Sequence, residues 1–167
     1  MQREHLDARA ARRNDAGFTV LELMIVIFII AILITVLLPV FLGASNRAKD
    51  RAMQSSLHDA VTAAKTVYSD KADYTAATPA ALNTAAGALT FVGAAVDPTG
   101  QNTVSVDSVS DSYIVFAGQS KTGECFFVAD DQSNTGAGTL YAKLGGAGGC
   151  AASGAPLPGD AAWQQTW

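Results

Sequence analysis

Residues 17–42 read GFTVLELMIVIFIIAILITVLLPVFL. From Leu23 to Leu42, 20 residues pass without a charge, and only Thr35 and Pro39 are not plainly apolar. A helix of that length spans about 30 Å, the thickness of a bilayer's hydrocarbon core. A core helix of a globular domain would be shorter or would show a polar face. An ordinary secretory signal peptide has an apolar run of only about 7–15 residues. Arg9, Arg12 and Arg13 precede the run and predict a cytoplasmic N-terminus.

Upstream, residues 1–17 are polar, lack apolar periodicity and read as a cytoplasmic leader. Downstream, the helix is expected to continue. Met53, Leu57, Val61, Ala64 and Tyr68 recur three or four residues apart and form one apolar stripe. Arg47, Lys49, Asp50, Arg51, Asp59, Lys65, Asp70 and Lys71 lie mostly off it. Neither Gly nor Pro interrupts 45–78. The reading is one helix over about 18–74, on the order of 85 Å long. Residues 18–44 would be its membrane or fibre-core part and 45–74 an amphipathic continuation whose stripe needs a cover.

After a connecting loop, with a short helix expected at 78–86, the period changes to that of strands. Candidates are 89–96, 103–109, 112–118, 124–129 and 139–143. Turn signals separate them: Asp97-Pro98-Thr99-Gly100, Ser110-Asp111, Lys121-Thr122-Gly123 and Ser133 to Gly138. Short spacings without intervening helices predict an antiparallel meander. The expectation is an α+β fold with a globular head over 75–167, in which the C-terminal half of the helix packs on an antiparallel sheet. Residues 144–167 are rich in Gly, Ala and Pro and lack periodicity.

The only cysteines are Cys125 and Cys150. In an exported domain such a pair reads as one disulfide, contributing about 3 kcal/mol on the chain-entropy argument. The alternative is two free buried thiols. A bridge would fasten the loose tail to the sheet.

Charged residues make up 16 % of the chain. Beyond residue 17 there are 7 bases against 12 acids, so the body is mildly acidic and lacks the basic face of a dedicated nucleic-acid binder. The sequence shows no catalytic triad, HExxH, P-loop or paired-cysteine zinc spacing. His5 lies in the leader, and His58 falls off the apolar stripe, where it should be solvated. Residues 131–136 faintly resemble a calcium loop but have Ala142 where the bidentate Glu should be. Asp130 and Asp131 are therefore expected in a solvated turn. Trp163 and Trp167 are expected to pack on the sheet or on a neighbour. No metal, cofactor or catalytic residue is assigned.

The stretch Gly17-Phe18-Thr19-Val20-Leu21-Glu22-Leu23, followed by the apolar run, resembles the class III signal peptide of type IV pilins. Pro39, the twenty-second residue counted from Phe18, also falls where such pilins carry a proline. The resemblance is close over about residues 8–45. Beyond that only the architecture is similar. It implies cleavage by prepilin peptidase between Gly17 and Phe18, followed by N-methylation of Phe18. It implies a single-pass precursor in the cytoplasmic membrane and then an extracellular fibre of identical subunits. An inner-membrane platform protein and an assembly ATPase would be the machinery. Adhesion, motility and DNA uptake are the roles that go with such fibres, the last without a basic patch to support it.

The residues give physical reasons for these expectations. Gly17 lets a protease approach the backbone closely. Glu22 places a carboxylate near the start of a membrane helix, at a cost of about 2–4 kcal/mol unless it is paired or near the interface. Cleavage would create a partner, the Phe18 ammonium, in the same chain or a neighbour, and the family assigns Glu22 this assembly role. Pro39 removes a helical hydrogen bond and should kink or weaken the helix. Related filaments melt before this proline, but Ala31 stands where many of them carry a helix-weakening glycine. A pseudopilin of a secretion or competence system shares the signature and is the second reading. A membrane-anchored binding domain is the third.

Overall fold

A computed structural model describes residues 17–133, 138–145 and 148–167. The leader through Ala16, with His5 and the arginines read as its cytoplasmic signal, lies outside the described residues. So does most of the turn expected between Ser133 and Gly138. The chain divides into two compact units, Met1–Phe41 and Leu42–Trp167.

Helix α1 runs Val20–Lys71 and passes through Pro39 without a break. Its end is set at Ala72, which takes a left-handed φ of 52° and donates its N–H to the Tyr68 carbonyl at 2.6 Å. Asp73 then caps a short 3-10 turn, Tyr74–Ala76. Helix α2, Pro79–Ala85, starts where Thr78 accepts the Ala81 N–H and Pro79 takes the first helical position.

In the second unit five strands form one sheet in the order β1-β2-β3-β4-β5. They are β1 Thr90–Gly93, β2 Thr103–Ser108, β3 Tyr113–Gln119, β4 Cys125–Asp131 and β5 Gly138–Leu144. Strands β2 to β5 pair antiparallel, as expected. Strand β1 pairs with β2 in parallel, so the sheet is mixed rather than antiparallel throughout. The Asp97-Pro98-Thr99-Gly100 turn signal is real but does not close a hairpin. The nine residues 94–102 can reach about 30 Å, while a four-residue strand spans only about 13 Å. The connection can therefore double back along β1. Side chains hold it there: the Ser105 hydroxyl donates to the Gly93 carbonyl at 3.0 Å, and Asp97 accepts the Cys150 N–H at 2.6 Å. On the outer edge of β1, the Asn83 amide both donates to and accepts from the Phe91 backbone, which occupies groups that a further strand would use.

Strand alternation sends side chains to two covered faces. Phe91, Val104, Val106, Ile114, Phe116, Phe126 and Val128 pack with Met53, Leu57, Ala60, Val61 and Ala64 of α1. The helical stripe thus finds the cover it requires. At Gly118 of β3 any Cβ would collide with the buried Met53 side chain of α1. The opposite face carries Tyr113, Val115, Ala117, Cys125, Phe127 and Ala129, covered by Cys150, Ala152 and Trp163 from the C-terminal segment. The Cys125–Cys150 disulfide, with its Cα atoms 5.3 Å apart, joins that segment to β4. Gly149 precedes it with φ +92°, and a Cβ there would strike the Asp97 carboxylate.

The placement of Asp130 corrects the sequence reading. It lies inside β4, fully buried, and Asp131 is the last residue of the same strand, part-buried and accepting the Ser133 N–H, so neither sits in the solvated turn expected. The alternation that points Phe126 and Val128 at α1 also points Asp130 there. It meets Lys65 at 2.8 Å, the Tyr74 hydroxyl at 2.5 Å, Gln132 at 2.6 Å and Thr139 at 2.8 Å. Four donors satisfy a carboxylate that would otherwise be costly to bury.

Candidate processing and assembly site

Gly17, Phe18 and Thr19 have no regular secondary structure, and α1 begins immediately after them. Three hydrogen bonds fix that start. The Thr19 N–H and the Thr19 hydroxyl both donate to Glu22 Oε2 at 2.9 Å, and the Glu22 N–H donates to Thr19 Oγ1 at 3.2 Å. The Thr19 carbonyl accepts the Leu23 N–H, opening the helical ladder. This is a capping box: the Thr at the cap and the Glu three residues on satisfy each other's orphan amides. The T-x-x-E spacing is visible in the sequence. A charge in an apolar segment draws the eye to a distant or interfacial partner and away from the hydroxyl three residues before it.

The capping box changes what Glu22 means. Its carboxylate is held at the helix start, where the helix dipole favours a negative charge. Among the described residues only Oε2 has hydrogen-bond partners. Phe18 is 82 % exposed. Gly17 has ordinary φ, and a Cβ built on it meets nothing within 4 Å among the described residues. Among the described residues neither backbone strain nor packing requires a glycine at 17.

Beyond the capping box the helix surface is apolar and uncovered. From Phe18 to Leu42 every large apolar side chain is exposed. Among the described residues α1 is the one helix long and apolar enough to cross a membrane. Pro39 has no N–H for the Thr35 carbonyl. The Thr35 hydroxyl donates to the Ala31 carbonyl at 2.8 Å, the same i−4 bond that Thr62, Thr66 and Ser69 make elsewhere in α1.

The prokaryotic N-terminal methylation motif matches residues 12–38, the segment that holds Gly17, Phe18, the capping box and most of the apolar run. The chain carries a type IV pilin-like class III signal peptide. No curated protein and no solved structure matches the chain significantly. With this motif, the long helix on a five-stranded mixed sheet is an α+β pilin-like fold. The pilin-like motif covers both pilins and pseudopilins. It points to a structural rather than an enzymatic protein, to a membrane-anchored precursor, and in general to prepilin peptidase and pilus assembly machinery.

The remaining sequence candidates fall in the second unit. His58 on α1 is exposed, its ring tilted against that of Tyr141 with centroids 5.4 Å apart. Trp163 is buried in the tail-side core, its indole N–H shared between the Pro156 and Leu157 carbonyls. Trp167 lies on the other face against Phe126 and Tyr141, at 5.2 and 4.9 Å. The tail also pairs with β5 through a two-way backbone bridge between Tyr141 and Gln164.

Electrostatics in the head ties the helix to the sheet. Burial pushes the Asp130 carboxyl up, but hydrogen bonds from Lys65, Tyr74, Gln132 and Thr139 outweigh it and hold the group below the usual aspartate range. The Tyr74 phenol is pushed far up, by burial first and by the adjacent Asp130 carboxylate second. Burial likewise pushes Tyr113 up to about 12. Asp50 on α1 accepts from the Ser120 and Thr122 hydroxyls at 2.6 Å, and these bonds bring it below its ordinary value against the opposing effect of burial.

Proposed function

We propose that this chain is a subunit of a type IV pilus. It is cut between Gly17 and Phe18, N-methylated on Phe18, and polymerised through the apolar half of α1 into a surface fibre for adhesion, motility or DNA uptake. An inner-membrane platform protein and an assembly ATPase extract it from the bilayer. Glu22 receives a Phe18 ammonium in the assembled fibre. Pro39 marks the part of the helix that yields during assembly.

The observation that carries this reading is the methylation motif on a helix start whose apolar surface is bare over Phe18–Leu42. Such a surface needs lipid or copies of itself. The Cys125–Cys150 disulfide leans towards a pilin, because by resemblance major pseudopilins carry a calcium loop and lack such a bridge.

The test is filament assembly by wild type and by Glu22→Gln. Gln keeps the length and hydrogen-bonding of the side chain but removes the charge. Wild type should be recovered from sheared surface fibres and Glu22→Gln only from membranes, with loss of fibre on the order of tenfold or more. Equal yields would overturn the assembly role of Glu22. Wild type confined to membranes would favour the pseudopilin.

A further inference from the structure

The capping box has a consequence for processing. We propose that Thr19, by capping α1 together with Glu22, is the residue that keeps the Gly17–Phe18 bond outside the helix and therefore cleavable. The inference rests on the reading of that bond as the processing site.

Sequence sets up a need for such a stop. Residues 8–13, ARAARR, are strong helix formers, and the apolar run beyond Glu22 is helical throughout. Without a stop, helix could propagate from Val20 back through Phe18 toward the leader, because extending an existing helix avoids a new nucleus. Gly17 opposes this, but by only about as much as one glycine in a helix interior. The Thr19–Glu22 pair supplies the other opposition. It satisfies the Thr19 and Glu22 amides without a preceding turn of helix. In a helix the Gly17 carbonyl would bond along the axis to an N–H one turn on, with side chains a turn away crowding the peptide. Hydrolysis needs the attacking oxygen about 3 Å from the carbonyl carbon, off the peptide plane. In the non-helical stretch Gly17–Thr19, with Phe18 82 % exposed, that approach is open.

Thr19 acts here as a positioning residue, through backbone conformation and not by touching the reacting atoms. This sets it apart from a hydroxyl that the peptidase reads directly. Proline at the first helical position separates the two. Val20→Pro would stop the helix without any hydroxyl, since proline fits that position and disfavours helix in the residue before it.

The experiment measures initial rates of leader removal from full-length chain in membrane vesicles containing prepilin peptidase. Wild type, Thr19→Ser, Thr19→Ala and the double variant Thr19→Ala/Val20→Pro are compared, with an intact Cys125–Cys150 disulfide as the check on folding. Thr19→Ser keeps the box and should be cut at close to the wild-type rate. Thr19→Ala should be cut about fivefold more slowly, the effect of losing a typical helix cap. Adding Val20→Pro should restore the rate. Thr19→Ala cut as fast as wild type would overturn the proposal, and so would a slow Thr19→Ala that proline fails to rescue. A wild-type chain left uncut would instead overturn the assignment of the bond, and this inference with it.

Discussion

The two halves of α1 have the same backbone and opposite surroundings. From Val20 to Phe41 the best-covered large apolar side chain, Ile30, is still 47 % exposed. From Met53 to Ala64 seven residues are buried against the head. The first half is drawn as a helix by local hydrogen bonds, a capping box and apolar helix formers. The second is held by side chains reaching across to a sheet. Helix propensity alone does not make the first half stable in water, because its apolar surface has nothing to pack on. Among the described residues nothing covers it, whereas the second half is covered by the sheet.

Four changes, and Leu33→Ala as the control for the first of them, probe this contrast, with the four ordered from the largest effect to the smallest and thermal unfolding of the head in detergent as the readout. Leu57→Ala, in the covered half, should destabilise the head by about 3 kcal/mol. Leu33→Ala, the same change in the bare half, should leave it within about 0.5 kcal/mol. Equal effects would break the comparison. Removing the disulfide with Cys125→Ser and Cys150→Ser together should cost about 3 kcal/mol, loosening the tail-side face before the helix-side face.

Lys65→Met leaves the buried Asp130 without its cation and should cost about 2 kcal/mol, below the value for a fully buried pair because Lys65 is 44 % exposed. The same network gives a pH dependence. The folded chain holds the Asp130 carboxyl below its unfolded value, so the folded state binds that proton less readily than the unfolded chain. Its contribution is present above about pH 4 and is lost as pH falls through the folded value. Acid should therefore destabilise wild type more steeply than Asp130→Asn. The smallest change is a gain: Ala72→Gly relieves the left-handed alanine at the end of α1 and should stabilise by about 0.5–1 kcal/mol.

Much of this contrast was legible in the sequence, because it is a matter of pattern. The uncharged run, the stripe from Met53 to Tyr68 and the strand alternation each depend on near neighbours in sequence. What escaped depended on partners far along the chain. Asp97-Pro98-Thr99-Gly100 looks like a hairpin turn, but the Asp97 carboxylate bonds to the distant Cys150 amide. Asp130-Asp131 looks like a turn until Lys65 and Tyr74 arrive from elsewhere. Even so, counting two residues on from Val128 would have put Asp130 on the core face. The capping box is local and was there to be read, but the interest of Glu22 as a charge concealed its fit to Thr19. Trp163 and Trp167 are close in sequence and sit on opposite faces, because the tail crosses the edge of β5 between them.

The most direct test of the account is the intact mass and N-terminal sequence of the chain recovered from sheared surface fibres. The prediction is a protein beginning at N-methylated Phe18, with a mass two hydrogens short for the Cys125–Cys150 bond. A chain that still begins at Met1 in cells with active prepilin peptidase would contradict it.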